Sequence, residues 1–404
     1  MVAIAQLVLR HRFIPERITV HAEELAYLWQ RRRASLRSPD ITLPDFTYLQ
    51  ERIDAHLQGL LVAGAELAPM LDGFLHGDQR DEAFAAAWAL LRSEQPDNAR
   101  KVLEAFAAAR GPVLDGFADA LATAPATHTA PTLQAALAHG SPPHAAAAAL
   151  ALGCHRQLDA RSPRLASLLL DASPAVAPSV WRALLPLDSS SGGVPLPFAA
   201  ALRQPSPALR QAVLDVAVWR GEPWVLDMVR QLAAEGDETG LGWYAALCPA
   251  DEQDAALALF AGRPAPQRTA LAARLGRPAA IRAVFDWMAD PGSDPVLAAA
   301  AAEAWERLTG LSVEGERKAL PAASADPLEQ DFPAVVFLPD LAKARQHWAT
   351  YGERWLAGGC WCRGFDLQAT MTSEAQHWIG LQARWDFAAR AAQAGRWLLV
   401  PPMV

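Results

Sequence analysis

Lysine is almost missing from this 404-residue chain: it occurs only at Lys101, Lys318 and Lys343, so arginine carries nearly all the positive charge. The 36 basic residues are outnumbered by 44 acidic ones, for a formal net charge of −8. A protein that tracks nucleic-acid phosphates needs the opposite balance, so no nucleic-acid partner is expected. Cysteine is scarce as well. Four cysteines build no disulfide framework in a chain of this length, and the expected setting is a reducing cytoplasm. Long apolar runs are missing too: the longest, Ala145 to Leu152, falls far short of the ~20 residues a membrane helix needs. Met1 to Phe13 is briefly apolar, but it lacks a small-residue cleavage site and contains Arg10 and Arg12. Neither membrane insertion nor a signal peptide is expected.

What is abundant is alanine, about a fifth of the chain and far above average usage. Alanine is the best helix former and is small enough to let helices approach closely. Apolar residues recur at three- and four-residue spacing nearly throughout, while strand-like alternation is rare. After Ser206, for example, Leu209, Ala212, Val213, Val216, Ala217 and Val218 define an apolar face, with Arg210, Gln211 and Asp215 expected to point away.

Helix-start signals repeat. Ser-Pro stands at 141–142, 162–163, 173–174 and 206–207, with Asp294-Pro295 as an acidic version. The serine or aspartate can cap a first turn whose missing proline N–H costs nothing. Gly-Arg-Pro-Ala occurs at Gly262 to Ala265 and again at Gly276 to Ala279, where glycine closes one helix and proline opens the next. Many short helices with brief, similar breaks predict an all-α, HEAT-like helical-repeat solenoid rather than an irregular helical globule.

The expected organisation is an N-terminal helical cap over 1–64, the array over 65–312 with a loop at 188–197, a linker over 313–340, and a tryptophan-rich helical segment over 341–404. The loop is Asp188 to Pro197, and the linker belongs to an aperiodic, Pro-rich and acidic stretch from Leu311 to Asp340. Six of the 14 tryptophans lie beyond it: Trp348, Trp355, Trp361, Trp378, Trp385 and Trp397. Gln-His-Trp at 346–348 is followed seven residues on by Trp355, and Gln-His-Trp at 376–378 by Trp385, each later ring preceded by Arg354 or Arg384. That offset puts each pair on one face of a helix. Such rings either zip two helices together, with arginine stacked on them, or form a docking surface.

Motifs for chemistry are thin. Cys360-Trp361-Cys362 lacks zinc-knuckle spacing, Cys154-His155 diverges on a helix, and Cys248 stands apart, so no metal or cofactor is expected. Neither a Gly-x-Ser-x-Gly elbow nor a phosphate cradle occurs, since Ser191-Gly192-Gly193 lacks the lysine and the strand. Polar residues gather near the N-terminus: His21 beside Glu23 and Glu24, Asp54 beside His56, and the basic run Arg31-Arg32-Arg33. Ala22, Leu25, Ala26, Leu28 and Trp29 make a packing face there, met by Leu49, Ile53, Leu57 and Leu60. The polar edge of His21, Glu24, Arg52, Asp54 and His56 either bonds locally or meets a partner.

The stretches His21 to Trp29 and Leu49 to Gly64 resemble the opening of a family of uncharacterised HEAT-repeat-like bacterial proteins often encoded in type VI secretion gene clusters, beside spike, PAAR-tip and effector genes. Ala304-Trp305-Glu306-Arg307-Leu308-Thr309-Gly310-Leu311 is similar to that family's helix end before the linker. Leu338-Pro339-Asp340, continuing through Trp348 and Gly352 to Arg354-Trp355-Leu356-Ala357-Gly358-Gly359, is similar to the start of its C-terminal segment. The Cys-Trp-Cys stretch and the tail Leu398 to Pro402 depart from the pattern. The resemblance implies no catalytic residues. It implies a non-enzymatic, cytoplasmic scaffold or adaptor that binds a type VI effector, spike or tip protein, with His21, Glu24, Trp29, Arg52, Asp54, His56, Trp348, Trp355, Trp378 and Trp385 as candidate contacts. An immunity protein that neutralises a cognate toxin is the alternative, and a HEAT-type nucleic-acid enzyme a more distant one.

Overall fold

Helix-start chemistry organises the chain. In the computed structural model, which describes residues 14–187, 195–290, 294–320, 334–368 and 371–396, helices begin at Pro142, Pro163, Pro207, Pro278 and Pro295. Ser206 Oγ accepts from the Leu209 amide at 3.3 Å, and Asp294 caps Val296 at the same distance. Gly276 closes its helix with φ +65°, the left-handed conformation a Cβ disfavours. Ser173-Pro174 instead lies in a turn just ahead of a helix that starts at Val176. The described residues contain 21 α-helices and little strand, an all-α architecture. No described helix is long and apolar enough to cross a membrane.

The described residues divide into two compact units, one within 14–36 and 44–220, the other within 37–43 and 221–396. The division after Arg220 falls inside the stretch grouped as one array by sequence. In the first unit, α1 (Pro15–Ser35), α2 (Leu43–Leu61) and α3 (Leu67–Leu75) lead into α4 (Arg80–Arg92), α5 (Pro96–Ala108), α6 (Gly111–Thr123), α7 (Ala130–His139) and α8 (Pro142–Cys154). They are followed by α9 (Pro163–Leu168), α10 (Val176–Ala183), α11 (Phe198–Leu202) and α12 (Pro207–Arg220). Every second helix forms a row: α4 packs on α6, α6 on α8, α8 on α10 and α10 on α12. These five begin at residues 80, 111, 142, 176 and 207, so the row advances by 31, 31, 34 and 31 residues.

Burial explains the alanine. Residues 83–91 of α4 and 144–153 of α8 are buried without interruption, so these helices are apolar on every side. Small side chains bring their backbones together. A Cβ on Gly116 would collide with the Arg80 carbonyl, and one on Gly153 with that of Ala183. The same all-round burial corrects the reading of α12. Asp215 does not point away but is buried, 2% exposed, and accepts from Gln211 Nε2 at 2.6 Å.

In the second unit, α13 (Val225–Ala234), α14 (Glu238–Leu247), α15 (Gln253–Ala261), α16 (Ala265–Leu275), α17 (Pro278–Ala289) and α18 (Pro295–Thr309) pack in the same alternating way, α14 on α16 and α16 on α18. The stretch read as a linker carries secondary structure at both ends. There β1 (Glu314–Ala319) pairs antiparallel with β2 (Val335–Pro339), in the register Arg317 with Phe337 and Lys318 with Val336, with an irregularity between Glu314 and Arg317. After α19 (Leu341–Leu356) a small hairpin, β3 (Trp361–Cys362) and β4 (Phe365–Asp366), precedes α20 (Ser373–Trp378) and α21 (Leu381–Gln393). The loop at 188–197 lies outside the described residues up to Val194, as do Trp397 and the tail Leu398 to Pro402.

Candidate binding surfaces

Two clusters hold the candidate residues, one in each unit. In the first, α1 and α2 bring His21 and His56 together, 35 residues apart in sequence, with Nδ1 atoms 3.2 Å apart and rings edge to face. Gly59 makes room for the His21 ring, since a Cβ there would fall 2.6 Å from its Nε2. The two Nδ1 atoms lie at hydrogen-bond distance, with the donor set by the tautomer. Glu24 and Arg52 stand beside the two rings, 3.9 Å from each other and partly exposed, a pair that contributes little in water. Asp54 is drawn aside to Gln50, whose Nε2 donates to it at 3.2 Å.

Burial lowers the His56 pKa, and the facing His21 lowers it further; Glu24 opposes the shift and Arg52 adds to it. The unfolded chain therefore binds more protons than the folded one below the ordinary histidine value of about 6.5. The His56 contribution to stability is complete above that pH and declines as pH falls from there through the folded value. Urea midpoints measured at pH 7.5 and pH 5.5 should drop less in His56→Gln than in the parent chain. An equal drop in both would contradict the assignment.

Trp29 is no surface residue. It is 2% exposed and stacks on Phe84 at 3.8 Å, with Trp88 beyond. Its indole donates to Asp119 at 3.4 Å, a carboxylate buried within the apolar run of α6. Arg80 reaches the same oxygen at 2.9 Å, and Arg33 approaches it at 3.8 Å while pairing with Asp81 at 2.6 Å. Burial pushes the Asp119 carboxyl up, against the pull of Arg80 and Arg33. Arg32 lies over Trp29 and Phe46 at 4.7 and 5.3 Å, and burial lowers its guanidinium to about 10. Arg32 and Arg33 of the basic run thus work within the fold. Sequence reading missed the Asp119 network, although a lone carboxylate in Gly-Phe-Ala-Asp-Ala-Leu-Ala was its signal.

In the second unit, Trp348 and Trp355 share one face of α19 as the seven-residue offset requires. They meet Trp305 of α18 at 6.2 and 5.2 Å, and Phe285 of α17 packs on Trp348 at 4.6 Å. Trp305 and Trp355 are buried and Trp348 is half-buried. The second pair is different: Trp378 ends α20 and Trp385 sits on α21, so the two are not on one helix. The break falls at Gly380, where a Cβ would overlap the Pro39 carbonyl and where Thr42 forms a bridge. Trp378 is 52% exposed, while Trp385 is half-buried. Arg354 stacks not on Trp355 but on Trp361, at 5.1 Å.

The Cys-Trp-Cys stretch also finds a role. Arg363 and Gly364, both at positive φ, form the two-residue turn of the β3–β4 hairpin. Its amides donate to the open carbonyls at two helix ends: Trp361 to Gly276, Arg363 to Arg307 and Gly364 to Leu308, at 2.7–2.9 Å. All four cysteines are free, and burial pushes the Cys154 and Cys362 thiols up to about 12 and Cys248 to about 11, away from thiolate chemistry. Among the described residues no three His, Cys, Asp or Glu side chains gather as metal ligands.

No family model, curated protein or solved structure matches the chain. Its surfaces are therefore read from their own chemistry. Of the ten candidate contacts, Trp29 and Trp355 are core, His21, Glu24, Arg52 and His56 share one polar edge, and Trp378 is the aromatic most open to solvent.

Proposed function

We propose that the chain is a non-enzymatic, protein-binding adaptor of type VI secretion that handles an effector, spike or tip protein, built as a HEAT-like helical array. The observation that carries this reading is the row of buried helices recurring every 31 to 34 residues in the first unit. A row of that kind buries one helix of each pair and leaves its partner outside, which gives a long side-chain surface suited to a protein ligand. Its period is shorter than the ~40–47 residues usual for HEAT units, so the likeness is one of plan rather than of repeat length. The four sequence blocks that resemble the type VI-associated family supply the context. The exposed rings of Tyr27, Tyr48 and Trp378 supply contact residues of the kind interfaces favour.

A deletion strain tests the role. Loss of the chain should abolish secretion of the effector encoded nearest its gene, with the effector's toxicity toward the producing cell unchanged. If the chain instead protects cells from that toxin and leaves its secretion intact, the adaptor reading fails and an immunity role replaces it.

A further inference from the structure

His21 and His56 have the spacing of two ligands to one metal ion. Imidazoles that share a tetrahedral ion, each through a bond of about 2.0–2.1 Å, hold their nitrogens about 3.3 Å apart. The two Nδ1 atoms stand at 3.2 Å, with the rings edge to face. The helices are packed to suit the pair. Gly59 leaves room for the His21 ring, because a Cβ there would fall 2.6 Å from its Nε2. Leu25 and Leu60, each four residues on from one of the histidines, are fully buried, so the rings stand at the edge of the apolar core. Both rings are half-buried, and an ion can reach them from solvent.

A third donor is one turn away. Glu24 follows His21 by three residues on the same face of α1, the carboxylate–histidine spacing that helical metal sites use. It leans on Arg52 at 3.9 Å, both side chains partly exposed, a contact weak enough to give up. Its negative charge already reaches His56. Asp54, by contrast, is engaged by Gln50. We propose that His21 and His56 bind one zinc-class divalent ion through their Nδ1 atoms, with Glu24 turned from Arg52 as third ligand and water as the fourth. Both rings take the Nε2–H tautomer when the ion binds, so a neutral ring moves its proton from one nitrogen to the other and releases none. The bound ion cross-links α1 to α2 across 35 residues of sequence. The site needs no partner protein and stands or falls apart from the adaptor function.

The test titrates zinc chloride into the full chain, stripped with EDTA and dialysed, by calorimetry. Co²⁺ then takes the place of zinc, so that its visible absorption reads the coordination. One ion per chain should bind with a dissociation constant at or below about 10 μM, and the Co²⁺ spectrum should be that of a four-coordinate site. His21→Gln and His56→Gln should each weaken binding about a hundredfold, and Glu24→Gln about tenfold. Gly59→Ala keeps all three donors but displaces the His21 ring, and should also weaken binding about tenfold. His76→Gln, at an exposed histidine beside Asp72, should leave the affinity unchanged. Circular dichroism checks the fold of each variant, and Glu24→Gln, at a partly exposed position, carries the test where a histidine variant melts early. Absence of a one-to-one site, binding that survives both histidine substitutions, an unchanged affinity in Glu24→Gln, or an equal loss in His76→Gln would each overturn the proposal.

Discussion

Replacing Trp355 by alanine should destabilise the protein by about 3–5 kcal/mol, while the same change at Trp378 should alter stability by no more than about 0.5 kcal/mol. Trp378 closes the second Gln-His-Trp and Trp355 follows the first by seven residues, and the two rings lie in different environments. Trp355 is 2% exposed and meets the fully buried Trp305 edge to face, so truncation opens a cavity among rings that cannot close around it. Trp378 ends a six-residue helix, is 52% exposed and contacts His377, so its removal leaves the core intact. Urea denaturation of both variants settles the contrast. Equal losses would show that the four C-terminal rings act as one aromatic zipper, and the separation drawn here between core and surface would be wrong.

A comparable loss, about 3–5 kcal/mol, is expected for Asp119→Ala, for an electrostatic reason. The carboxylate is 3% exposed and is the shared partner of Arg80, Arg33 and the Trp29 indole. The Nε groups of both arginines are buried and make no hydrogen bond within the chain. Without Asp119, positive charge would stay in the joint between α1, α4 and α6 with only Asp81 and the more exposed Asp115 to balance it. Asp119→Asn keeps an acceptor for the indole but loses the charge, and should fall between the parent and Asp119→Ala in a urea titration. An alanine variant within about 0.5 kcal/mol of the parent would mean that the network contributes no net stability.

Local chemistry was the most legible part of the sequence. Proline at the first helical position, capping serine and aspartate, and the glycine of Gly276 located helix boundaries because each acts within one turn. The His21–His56 pairing was legible only as two polar edges of facing helices, and the fold brought the rings together. Features decided by distant backbone were hidden. Gly380 breaks what reads as one helix because the Pro39 carbonyl approaches from 341 positions earlier in the chain. Asp215 looks like a surface residue by periodicity, yet α12 is packed on more than one side and buries it with Gln211. The β1–β2 pair escaped notice because Glu-Gly-Glu-Arg-Lys-Ala has no strand-like alternation of apolar residues, and every one of its residues is exposed.

Purified components give the most direct test of the adaptor function. The full chain is mixed in turn with the spike, tip and effector proteins encoded nearest its gene, and complexes are measured by size-exclusion chromatography and calorimetry. One of these proteins is predicted to co-elute with the chain and to bind with a dissociation constant at or below roughly 1 μM. Failure of all of them to bind the folded chain would contradict the adaptor function.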